Sequence, residues 1–116
     1  MCPHIEKAKH NTEFSASLID TKFADWLIIG SFYIALQYVD AHAVRNKVKF
    51  EYLPGEETLH SLRRNYVRGK LRHLFTAYER LFQESMNARY DPIYLKRIKF
   101  NPKDLFDLSQ KFADIV

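Results

Sequence analysis

The stretch Thr21–Val44, TKFADWLIIGSFYIALQYVDAHAV, decides the fold. Between Asp25 and Asp40 lie fourteen residues in which only Gly30, Ser31 and Gln37 interrupt an apolar run. A bilayer needs roughly 20 such residues, so the run reads as a soluble helix. At about 100° per residue, apolar side chains appear at every angle of this helix. Trp26, Ile29, Tyr33 and Leu36 fall on one side, and Ile28, Phe32, Ala35 and Val39 on the other. A helix apolar all round is buried all round. A small chain has few other helices to cover it, so one face is expected to meet a second copy, giving a homodimer. Gly30, Ser31, Ala35, Ala41 and Ala43 would let neighbouring helices approach closely.

The rest of the chain is read outward from this helix. Its 116 residues fit one domain, 1–116, with one core. A hydrophobic share of 47% argues against disorder, and three Gly with four Pro argue against a turn-rich β sandwich. Pro3 to Ile19 reads as a first helix. Asp20 or Thr21 is expected to cap the central helix, which ends near Asn46 or Lys47. Val48 to Glu57 reads as a loop around Pro54-Gly55, with Phe50, Tyr52 and Leu53 either folding back on the bundle or forming an exposed aromatic edge. Thr58 is placed to cap a third helix with Leu59, Leu62 and Tyr66 facing the core and His60, Arg64 and Val67 on its flank.

Gly69 marks an expected break. Leu71, Leu74, Phe75, Tyr78, Leu81, Phe82 and Met86 then form the cleanest helical stripe, which Asp91-Pro92 ends. Ile93 to Phe100 reads as a short extended connection. Asn101, Pro102 and Asp104 signal a last helix with Leu105, Leu108 and Phe112 as its stripe. No internal repeat appears. The expected architecture is all-α, a bundle of four to five helices.

Formal net charge is +4. This admits nucleic acid without demanding it. The charge is concentrated: Ser61 to Arg80 holds Arg63, Arg64, Arg68, Lys70, Arg72 and Arg80 against Glu79, a net +5. Arg63, Tyr66, Lys70 and Arg72 are the candidate nucleic-acid contacts, Tyr66 as a base-stacking ring. The alternative is a solvated basic face. Cys2, His4 and His10 make no metal-ligand pattern, and no phosphate loop or nucleophile elbow is present, so neither metal nor cofactor is expected. The single cysteine fits a reducing compartment. No charged-then-apolar leader opens the chain, and the expected address is the cytoplasm.

The aromatic-rich central helix, His60-Ser61-Leu62 at a helix start and Arg89-Tyr90-Asp91 closing the next long helix together resemble the HEPN domain. In that family these look like H-x-L and R-Y-P-D; Asp91-Pro92 reverses the Pro-Asp order. The resemblance covers Thr12 to Asp91. It implies dimers and an association with nucleotides or RNA. Some members are metal-independent ribonucleases of toxin or defence type with an Arg-x4–6-His motif. Others are non-catalytic partners of a nucleotidyltransferase or an antitoxin.

Arg68 to His73 fits Arg-x4-His. Histidine can move a proton from a ribose 2′-OH, and arginine stabilises phosphoryl charge. Gly69 stands where the family prefers a polar residue. On a regular helix, positions five apart diverge by about 140°, so this pair needs a break between its members. His60 and Arg64, one turn apart on one face, are the alternative catalytic pair; the structural reading has His60 packing and Arg64 bound to a carboxylate. Arg89 is expected to pair with Asp25 or Asp40. Asp40 and His42 are candidates for a site or for a buried ion pair. Three functions follow: an RNA- or nucleotide-associated domain that includes a ribonuclease, a non-catalytic partner domain, and a purely structural helical dimer.

Overall fold

The computed structural model describes residues 2–50 and 58–116. The expected roles of Tyr52, Leu53 and Pro54-Gly55 fall outside this range. The protein is all-α, with no strand among the described residues. The helices are α1 (Pro3–Ala16), α2 (Ala24–Arg45), α3 (Leu59–Lys70), α4 (Phe75–Tyr90), α5 (Tyr94–Arg97) and α6 (Pro102–Gln110), with 3-10 turns at Arg72–Leu74 and Lys111–Ile115. That is one helix more than expected, because the Ile93–Phe100 connection is not extended. It contains the single turn α5, whose Tyr94 is buried with its hydroxyl donating to Glu84 at 3.1 Å.

α2 is the axis of the bundle. It is long and apolar enough by length and composition to cross a bilayer, yet two-thirds (67%) of that stretch is buried within the fold. The cover comes from the chain's own α1, α4, α6 and the last 3-10 turn. Ile28, Ile34, Ala35 and Val39 are completely inaccessible. Short α6 and the terminal turn cover part of the surface for which a second copy was expected, while Trp26 and Val44 of α2 stay exposed. Trp26 departs from the apolar pattern at 54% exposed. Gly30 lets α1 approach, because a Cβ there would collide with the buried Ser15 hydroxyl.

The helix ends follow local chemistry. Neither Asp20 nor Thr21 caps α2; the N-cap is Phe23. The Thr21 hydroxyl is spent on the preceding turn, donating to Leu18 O at 2.6 Å and accepting from Phe23 N at 3.2 Å, while Asp20 takes a left-handed conformation. α2 ends in a Schellman motif, with Val48 N bonded to Ala43 O at 2.8 Å and Lys47 N to Val44 O at 3.0 Å. Thr58 caps α3, accepting from Ser61 N at 3.1 Å, and Asn101 caps α6, accepting from Lys103 N at 3.0 Å.

The break after α3 falls at Leu71, not Gly69, which stays helical. The backbone leaves the helix at Leu71 (φ −131, ψ 47), and the Arg72–Leu74 turn carries the chain into α4 with Leu71 and Leu74 both buried. Val67, expected on the flank, is fully buried.

One ion pair ties α3 to the axis. Arg63 donates to both carboxylate oxygens of Asp40, at 2.8 and 2.9 Å, with side chains only 18% and 8% exposed. Removing one partner of such a buried pair strands the other charge, at about 3–5 kcal/mol. Arg63→Ala is expected to lose about that much stability in urea denaturation, and Asp40→Leu/Arg63→Met to recover most of it.

Candidate functional site

The basic run on α3 and the following turn is sorted by helix phase into side chains that face in and side chains that face out. Arg63 faces in. Besides binding Asp40, its guanidinium lies over the Phe50 ring at 5.8 Å. Tyr66 also faces in. It is buried, its hydroxyl is 2.7 Å from His42 Nδ1, and Phe50 meets its ring edge-on at 5.5 Å. Neither is placed to touch a nucleic acid, which corrects the sequence expectation for both. The physical reason is that positions 63, 66 and 67 point at α2. Behind them, the Tyr78 hydroxyl is buried without a partner, and burial pushes its phenol far above its usual value.

His60 and Arg64 sit one turn apart at the edge of this core. His60 stacks on Phe82, with centroids 3.5 Å apart and planes at 13°. Arg64 Nε donates to Glu79 at 2.7 Å. Burial lowers the His60 pKa, and the Arg64 and Arg63 charges lower it further against the opposing pull of Glu79. His60 is therefore a packed imidazole whose surroundings disfavour its charged form, and its neighbouring arginine already holds a carboxylate.

The outward set is at the corner between α3 and α4. Arg68, Lys70, Arg72 and His73 are all exposed. Among the described residues the ion pairs are Arg63–Asp40, Arg64–Glu79, Arg97–Asp91 and Lys103–Asp107, so none of the corner cations meets a carboxylate. Arg68 is nonetheless held in place: its guanidinium lies over Phe75 at 5.1 Å, and Arg64 lies over the same ring at 5.6 Å. Arg68 and His73 stand on opposite sides of the Leu71 break, so the divergence of a continuous helix does not apply to them. In the sequence Phe75 is interleaved in the basic run but reads as core first, as part of the apolar stripe of α4, and Glu79 stands out only as the one acid in that run.

The Arg89 expectation is also corrected. Arg89 donates to the Tyr33 hydroxyl at 3.1 Å, and Asp40, the other expected partner, is taken by Arg63. Arg89, Tyr90, Asp91 and Lys96 rim a separate open cleft of about 650 Å³, with Asp25 at its edge. Among the described residues, no cluster of His, Cys, Asp and Glu could hold a metal ion.

Comparison with known proteins found no matching family model, no matching curated protein and no matching solved structure.

The lowered pKa values fix a pH dependence. Burial is the main cause for both His60 and His42, with the Arg45 charge adding to it at His42. Below the ordinary histidine value the unfolded chain binds more protons than the folded one, so stability falls as pH falls. Urea midpoints are expected to drop from about pH 7 to about pH 5, and the drop to shrink in His60→Gln and in His42→Gln.

Proposed function

We propose that this chain is an RNA- or nucleotide-associated domain of the HEPN kind that grips phosphate at the α3–α4 corner. The observation that carries this reading is the set Arg68, Lys70, Arg72 and His73, exposed together at a helix break with no carboxylate partner among the described residues. Unneutralised like charges kept side by side cost stability, and a polyanion offsets that cost. The purely structural reading expects these cations to be scattered or neutralised; their exposure without a carboxylate partner among the described residues supports the phosphate-binding reading over it.

Within the corner, Arg68 has the geometry of a phosphate ligand, a guanidinium fixed by a ring with its donor edge unclaimed by carboxylate. His73 is the exposed histidine of the turn that follows α3. His60 is the weaker candidate for proton transfer, because it is stacked on Phe82 and Arg64 is bound to Glu79. The chemistry such a pair supports is metal-independent transesterification at a ribose 2′-OH.

A second reading, a non-catalytic domain that docks a protein partner, draws on exposed Tyr90, Ile93 and Leu95 beside the Arg89 cleft. One assay separates the two readings. Labelled single-stranded RNA is incubated with the protein in excess chelator, and binding and cleavage are read together. The proposed function predicts binding that Arg68→Ala and Arg72→Ala each weaken about threefold to tenfold, and cleavage that His73→Ala abolishes while His60→Ala leaves most of it. Binding without cleavage moves the reading to a non-catalytic RNA module. Absence of both leaves the docking role.

A further inference from the structure

Two arginines share one aromatic ring at the corner, and the arrangement is unbalanced. Arg64 and Arg68 are one turn apart on α3, where like charges repel. Both guanidinium groups lie over Phe75, at 5.6 and 5.1 Å. Only Arg64 is compensated, by Glu79 at 2.7 Å, and that ion pair is open to water, with side chains 40% and 33% exposed. Exposed ion pairs are weak and exchange readily. Phe75 sits just beyond the Leu71 break, and this is what brings a residue of α4 under two residues of α3.

We infer that Arg64, Phe75 and Arg68 form a seat for one phosphate group, and that Glu79 is the internal carboxylate which that phosphate displaces from Arg64. The inference rests on the phosphate-gripping function proposed above and deepens it. Phe75 is a positioning residue, because its ring fixes both guanidinium planes and so lowers the ordering each must undergo on binding. Glu79 occupies the Arg64 donors when the seat is empty, which keeps two adjacent cations from repelling each other. Glu79 thereby sets the affinity: a phosphate binds only as tightly as its advantage over this carboxylate.

The test is a fluorescence anisotropy titration at low salt with two probes, a labelled oligouridine of about ten nucleotides and labelled AMP. The proteins are wild type, Arg72→Ala, Phe75→Leu, Phe75→Trp, Glu79→Gln and Asp107→Asn, with circular dichroism melts to verify folding. Asp107→Asn is the control for Glu79→Gln. It makes the same charge change and also frees a cation from an exposed pair, Lys103 at 3.0 Å.

Glu79→Gln is expected to tighten binding about two- to fivefold more than Asp107→Asn does. Phe75→Leu is expected to weaken it about threefold at unchanged net charge, and Phe75→Trp to restore it by keeping a ring face. Preference for the oligonucleotide assigns the seat to a strand backbone, and preference for AMP assigns it to a terminal phosphate; both support the seat. Binding that Arg72→Ala weakens, while Phe75→Leu matches wild type and Glu79→Gln matches Asp107→Asn, overturns the seat alone. No binding of either probe by wild type overturns the proposed function and the seat together.

Discussion

The bidentate contact between Arg63 and Asp40 is the constraint on which the basic half of the molecule depends. Asp40 lies near the end of an otherwise apolar helix, and its carboxylate is only 8% exposed. An unpaired carboxylate there would be too costly to bury. Arg63 meets that requirement from α3, and in doing so fixes the rotation of α3 about its own axis. Once position 63 points inward, positions 66 and 67 follow it at helical spacing, and positions 64 and 68 are turned outward. The outward orientation of Arg64 and Arg68 follows from one buried charge on α2.

The second constraint is the helix break at Leu71. It ends α3, inserts a 3-10 turn and redirects the chain into α4. A basic run on an uninterrupted helix would spread its charges around the cylinder. The break instead gathers Arg68, Lys70, Arg72 and His73 at one exposed corner and sets Phe75 beneath Arg64 and Arg68. Fold and candidate site are joined here, because the leucines that complete the core are interleaved in sequence with the cations that decorate the corner.

The sequence made some of this legible. The all-round apolar character of residues 26–39 identified the axis, and the caps Thr58 and Asn101 and the stop at Asp91-Pro92 were readable because capping is local chemistry. Other features lay beyond periodicity. The cover of α2 depends on how α6 and the last turn return to the axis, which no local pattern encodes. Arg63 and Tyr66 looked like surface contacts because a basic run gives no sign of which member answers a carboxylate more than twenty positions earlier. Phe75 looked like pure core, because its contact with Arg64 and Arg68 crosses a break whose position only the packed structure reveals. Gly69 misled for a simple reason: a glycine can break a helix, but this one stays helical and the break comes two residues later, at Leu71.

The most direct test of the account is the salt dependence of RNA binding. For a single-stranded oligonucleotide, the logarithm of the binding constant falls with the logarithm of salt concentration by about 0.7 for each phosphate neutralised. The account predicts a wild-type slope of about −2 to −3, set by the corner cations. It predicts that Arg68→Ala/Lys70→Ala/Arg72→Ala flattens this slope toward zero, while Lys7→Ala/Lys9→Ala/Lys22→Ala, an equal loss of charge on and beside α1, leaves it intact. Equal flattening by the two triple variants, or a slope untouched by the corner variant, would contradict it.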